Sequence, residues 1–143
     1  MVATPATNAV VPTFPVRRVG CILAVTDVGR SVAFYVQHLG FVLEMRYDDP
    51  PYATLTRDGM RLSLAEEGHP APDRPGIAMA VPPDPKNTPV VVVLEVDDAR
   101  GLHAQLVGNG VPMLAEPWEA PWGGVRFFVL DPDGYLVELE QPG

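Results

Sequence analysis

The feature that most limits how this chain can fold is an internal repeat in its punctuation. Asp27 to Asp97 spans 70 positions and Gly40 to Gly110 again 70, while Gly59 to Gly134 spans 75. Around each set the same patterns recur in order. An apolar β-branched run leads to an aspartate able to cap a helix, then to apolar residues at helical spacing, a glycine stop, and short strands joined by an Asp-Gly turn. Two copies are too few for a solenoid, so the repeat predicts two equivalent modules packed side by side. The five extra positions of the second copy fall within Glu116-Pro117-Trp118-Glu119-Ala120-Pro121-Trp122-Gly123-Gly124, which holds both tryptophans of the chain.

In the first copy, residues 16–25 read as a strand. Asp27 offers a cap, and Val28, Val32, Tyr35, Val36 and Leu39 mark a helix face that stops at Gly40. Strands are predicted over 41–47, 52–56 and 60–65, with a short further strand over 76–81. The connector, 66–89, is loop-like, with seven prolines from Pro70 to Pro89. In the second copy the strands are predicted over 90–96, 111–114, 125–130 and 135–140. Asp97 and Asp98 offer caps to a helix carrying Ala99, Leu102 and Leu106, which ends at Asn109-Gly110. The fold class is thus α+β, with two βαβββ modules in one domain, each a mixed sheet curved around a cavity with a helix on its outer face. Residues 1–15 form a loosely held tail, and a single domain spans 16–142, with module one over 16–81 and module two over 89–142.

Composition supports one self-sufficient core. Of 143 residues, 47% are hydrophobic and 20% charged, enough apolar material to offset the chain entropy lost on folding. Cys21 is the only cysteine, which excludes an internal disulfide and a cysteine-based metal site, and its strand setting reads as a core thiol. The net charge of -8 repels phosphate backbones, so nucleic acid is not an expected partner. The N-terminus lacks a basic start before an apolar run, and no run is long enough to span a bilayer. A cytoplasmic protein without membrane contact is the expectation.

Period-2 alternation assigns faces to the strands. Leu62, Leu64, Val137 and Leu139 belong under the helices. Gly20, Ile22 and Ala24, with Val91, Val93 and Glu95, then point with Ser63 and Glu138 into a shared concave cavity, where function is to be sought. Were the register shifted by one residue, Cys21 and Val92 would be exposed instead.

The segment Asp27-Val28-Gly29-Arg30-Ser31-Val32-Ala33-Phe34-Tyr35 with Leu39-Gly40-Phe41, together with Asp131-Pro132-Asp133-Gly134-Tyr135-Leu136-Val137-Glu138-Leu139, resembles the glyoxalase/bleomycin resistance/extradiol dioxygenase superfamily, the vicinal oxygen chelate fold. The likeness runs from Arg17 to Gln141. It implies paired βαβββ modules, commonly in homodimers whose cavities are completed across the subunit interface. In metal-dependent members the first and last strand of each module carry the ligands, and the matching positions here are Gly20, Ser63, Val91 and Glu138. A divalent site needs about three nitrogen, oxygen or sulfur donors, and only Glu138 is of the usual type. No metal and no cofactor are therefore expected. His38, His69 and His103 lie outside the inward strand set and read as surface or packing residues.

The metal-free binding members typified by bleomycin resistance proteins resemble the chain also in Pro121-Trp122-Gly123-Gly124-Val125-Arg126-Phe127. That likeness implies sequestration of an antibiotic without chemistry. Trp118 and Trp122 can stack on a flat ligand or cover the core or a dimer interface. Acids around the groove favour a cationic, aromatic guest. The expected ligand-binding set is Trp118, Trp122, Arg126, Phe128, Glu138, Ser63 and Tyr52, with Tyr35 a further wall residue. No catalytic residue is assigned. The alternative is a metal-independent isomerase, cyclase or lyase in which an apolar cavity tunes Glu138 as acid or base, and the opposing reading is a Glu138 hydrogen-bonded to a neighbour such as Arg126.

Overall fold

The computed structural model describes residues 10–143; most of the predicted N-terminal tail lies outside them. Module one runs β1 (Val19–Val25), α1 (Val28–Leu39), β2 (Val42–Asp48), β3 (Pro51–Arg57) and β4 (Met60–Glu66). Module two runs β5 (Val91–Glu95), α2 (Ala99–Gly108), β6 (Trp118–Glu119), β7 (Val125–Leu130) and β8 (Leu136–Gln141). Each module is its own four-stranded mixed sheet, in the orders β1-β4-β3-β2 and β5-β8-β7-β6. The first-to-last pairs β1/β4 and β5/β8 are parallel and the rest antiparallel. Among the described residues no helix is long and apolar enough to cross a membrane.

The helices begin where a carboxylate meets an orphan amide. Asp27 accepts from the Arg30 amide at 3.0 Å and Asp98 from the Gly101 amide at 3.0 Å. Asp98, not Asp97, is therefore the partner of Asp27, and the repeat is one position out of step at the helix starts. Gly40 ends α1 in the left-handed conformation, at φ 70°, its amide returning to the Tyr35 carbonyl. Asp98→Ala is expected to lower unfolding stability by about 1 kcal/mol and Asp97→Ala by only a few tenths. Urea denaturation of both variants checks this.

Alternation then sorts the sheets as expected. Leu62, Leu64, Val137 and Leu139 are fully buried under their helices, with Leu55, Tyr35, Leu106 and Phe127 among the rest of the core. Val92 is buried and Cys21 half-buried on the same side, so the unshifted register holds. Burial pushes the Cys21 thiol pKa up, keeping it protonated rather than nucleophilic.

Three strand expectations are corrected. β1 begins at Val19, and residues 10–18 have no regular structure and are exposed. Residues 76–81 form no strand: a turn returns the Ile77 amide to the Arg74 carbonyl, and the prolines on either side supply no ladder donors. Residues 111–114 make only an isolated bridge, Met113 to Val129. Pro112 cannot donate there, and the longer insertion carries pairing downstream to β6, where Trp118 stands opposite Arg126 and Glu119 opposite Val125.

The Asp131-Pro132-Asp133-Gly134 turn joins the modules. Asp131, 5% exposed, accepts from the Tyr35 hydroxyl at 2.8 Å and from the Tyr135 and Asp133 amides at 2.9 Å each. Asp133 accepts from the Thr26 hydroxyl at 2.6 Å, and the Tyr135 hydroxyl donates to the Ala24 carbonyl at 2.8 Å. Burial pushes the Tyr135 hydroxyl pKa up to about 12 and that of Tyr35 higher still. Two expectations fall here. Ala24 is buried under the second module's turn, and Tyr35 belongs to the core beneath α1, so neither lines a binding face.

Candidate functional site

The face of the second sheet turned away from α2 gathers five of the predicted residues. Trp118 of β6 is the cross-strand partner of Arg126 on β7, and Phe128 is the partner of Glu138 on β8. These four alternate onto one side of the sheet. Trp122 reaches the same place from the β6–β7 turn, through two glycines of positive φ, Gly123 and Gly124. At Gly124 a Cβ would fall 2.6 Å from the Gln141 carbonyl oxygen, so only glycine lets the turn close against the end of β8.

Arg126 is the hub of this face. Its Nη1 donates to Glu138 Oε1 at 3.0 Å. Its guanidinium carbon lies 5.1 Å from the Trp118 ring centroid, 5.7 Å from Trp122 and 5.3 Å from Phe128, within the range of cation–π attraction. The two indoles meet edge to face, 5.5 Å apart. Beside them is a cavity of about 600 Å³ walled by Leu114, Pro117, Trp118, Arg126 and Phe128. Trp118 is 46% exposed and Trp122 70%, so within one chain they do not cover the core.

The cation position over the rings is filled by the chain's own guanidinium, whose charge Glu138 already balances. Glu119 points to the other side and meets Arg100 at 3.3 Å. Glu116, exposed and without an ion-pair partner among the described residues, lines the same cavity, so a negative charge is on offer beside an aromatic surface suited to a flat ring.

Ser63 and Tyr52 lie elsewhere, on the open face of module one. Ser63 is fully buried, and its hydroxyl is engaged with that of Thr54 at 3.3 Å. Tyr52 accepts from Arg61 at 3.4 Å and borders a cavity of about 310 Å³ with Ile22 and the proline-rich connector. The cavities on the two open faces share no residue, so the single cavity expected within one chain is not formed. A groove of about 690 Å³ between the modules, bounded by His38, Arg57, Val93, Glu95 and Gln105, had no signal in the sequence pattern. Helix ends and strand ends from both modules wall it, and only their packing brings them together.

The residues present do not fit a divalent metal. In register Ile22 stands beside Ser63 and Val93 beside Glu138, with Gly20 and Val91 one pleat away on the same faces. None of these four apolar positions has a donor, Ser63 is spent on Thr54, and Glu138 is held by Arg126. No group of three or more His, Cys, Asp or Glu side chains converges among the described residues. His103 is buried against Phe127, His69 bonds Glu66 in the connector, and His38 packs edge to face on Phe34.

Residues 17–139 match the Glyoxalase/Bleomycin resistance protein/Dioxygenase superfamily, and the chain belongs to it. None of the curated proteins compared matches the sequence. Among solved structures, TnmS3, an antibiotic binding protein from Streptomyces sp. CB03234, superposes with a TM-score of 0.69 at 22% identity, covering 92% of this chain and 100% of its own. A bleomycin resistance determinant encoded on the transposon Tn5 superposes with a TM-score of 0.62 at 25% identity, covering 87% and 97%. Lactoylglutathione lyase from Agrobacterium tumefaciens gives 0.70 at 17% identity, covering 89% and 94%. Binding proteins and an enzyme thus share this fold, and the choice between them rests on the site.

Proposed function

We propose that this protein is a metal-independent, cytoplasmic small-molecule binder of the antibiotic-sequestration type, acting as a homodimer. The observation that carries the reading is the Trp118–Trp122–Arg126–Phe128 cluster beside an open cavity, with Glu138, the one carboxylate at a metal position, already engaged by Arg126. Such a face can stack flat molecules, and the carboxylate at its metal position is tied to a guanidinium instead of being poised for acid–base work. The solved antibiotic-binding neighbours support a small-molecule ligand, and the ligand's class follows from the rings: a planar aromatic antibiotic.

Support for the homodimer comes from what one chain leaves open. Val19 on β1 and Val91 and Val93 on β5, with Val42, Leu43, Met45 and Tyr47 on β2, are all exposed, and each of these strands is an edge of its sheet. Exposed apolar side chains in this number, on strand edges free to pair, favour an interface. A second copy would cover these side chains.

The test is a titration followed by tryptophan fluorescence, with planar antibiotics of neutral, anionic and cationic charge, on protein whose mass is measured by light scattering. The expected result is a particle of twice the chain mass and saturable quenching by at least one planar molecule of the series, whatever its charge. A monomer, or quenching by none of the series, contradicts the proposal. An acid–base role for Glu138 fits less well, because its setting is an ion pair rather than an apolar pocket. Glu138→Gln is expected to alter no chemical conversion of the bound molecule.

A further inference from the structure

The open face of module one holds a second feature, independent of the aromatic cluster. In a chain with ten basic residues and a net charge of -8, three arginines, Arg17, Arg18 and Arg61, converge on one cavity of about 400 Å³ floored by Gly20, Ile22 and Ser63. Opposite charge is nearly absent. Glu44 is the acid at its rim, and Arg18 holds it by two contacts, at 2.8 and 3.4 Å. The Arg18 hydrogen bond keeps the Glu44 carboxyl below the usual range, so the pair is ionised and self-neutralising. Arg17 makes no ion pair with a described residue, and the one side-chain hydrogen bond of Arg61 among the described residues is to the Tyr52 hydroxyl, at 3.4 Å. Neither of these two guanidinium groups has a carboxylate within ion-pair distance among the described residues, although Glu44 acts on Arg61 from farther off.

Arg61 is also built into place. It is the cross-strand partner of Gly20, and a Cβ on Gly20 would fall 2.8 Å from the Arg61 Cβ and 2.6 Å from its carbonyl oxygen. Glycine at that position, the one matching a metal-ligand position of the family, is what lets the arginine side chain lie across β1. Its Nε is buried with no hydrogen-bond partner among the described residues, a donor that an acceptor entering the pocket would satisfy. Planar guanidinium donors in a concave, largely unopposed positive site match a carboxylate or phosphate group.

We propose that this pocket binds an oxyanion, a carboxylate or phosphate, held chiefly by Arg61 with Arg17 and Arg18 at the rim. The inference does not depend on what binds the tryptophan cluster. The test is titration of the full-length protein at constant ionic strength with inorganic phosphate, benzoate and phenyl phosphate, using chloride as the control. Calorimetry gives the affinity, and the Arg61 Nε–Hε resonance reports the site. Saturable binding that shifts this resonance is expected, weakened about tenfold or more in Arg61→Gln. In Arg17→Gln, at an exposed position that leaves the fold intact, the loss should be about threefold. Phenyl phosphate binding more tightly than phosphate identifies the head group of a larger molecule, and equal affinities identify a free anion; both support the site. Absence of a saturable shift, or an affinity unchanged in both variants, overturns it. Tryptophan quenching by planar antibiotics should persist in Arg61→Gln, which separates failure here from failure of the binding function.

Discussion

Asp131→Ala should be the most damaging single substitution in this chain, with a loss of about 4 kcal/mol of unfolding stability. The change strands the buried Tyr35 hydroxyl and two turn amides at once. It also loosens the turn that docks module two onto the start of α1, where Thr26 and Ala24 receive Asp133 and Tyr135. Asp131→Asn keeps the shape and should recover part of the loss. The pH dependence has a definite sign. Burial, the largest influence on Asp131, raises its pKa in the folded state, against the weaker opposing pull of the Tyr35 hydrogen bond. The native state then binds a proton at a pH where the unfolded chain does not, so this group's contribution to stability rises as pH falls through the raised pKa. Relative to Asp131→Asn, the wild-type protein should gain stability on going from neutral to mildly acid pH. Urea titrations of both proteins across that range measure it, and a constant difference would contradict the assignment.

The second large effect concerns binding. Trp118 and Trp122 are exposed in the chain, so replacing both with alanine should change unfolding stability by less than about 1 kcal/mol. The same double change should weaken binding of a planar antibiotic about 100-fold. Each indole supplies stacking area beyond simple burial, and roughly 1.4 kcal/mol apiece, tenfold for each, gives that factor. Calorimetric affinities of the parent and double variant give the comparison. Unchanged affinity would remove the aromatic cluster from the site.

Much of the fold was legible in residue order because it rests on local chemistry. Capping aspartates, a left-handed Gly40 and strict alternation in Leu62 to Leu64 and Val137 to Leu139 act over a few residues, and both modules formed where they pointed. The pairing of Arg126 with Glu138 was legible for the same reason, since two adjacent strands bring them to one face. Errors arose where tertiary geometry decides. Asp97 and Asp98 are equivalent on paper, and only the direction of the chain entering α2 selects Asp98. Tyr35 reads as a wall residue until the distant Asp131 takes its hydroxyl. That Arg126 sits over the indoles was not legible either, because formal charge does not say which side chains meet. Arg61 escaped notice as well. Its importance depends on the bare backbone of Gly20 across the parallel β1/β4 pair, 41 positions away in the chain.

The most direct test of the central claim, binding without chemistry at the aromatic face, is equilibrium dialysis of the protein against a planar aromatic antibiotic, followed by mass analysis of the retained molecule. The account predicts stoichiometric retention and recovery of the molecule at its original mass, in the parent protein and in Glu138→Gln alike. Conversion to a product of different mass or a structural isomer, at a rate lost in Glu138→Gln, would contradict it.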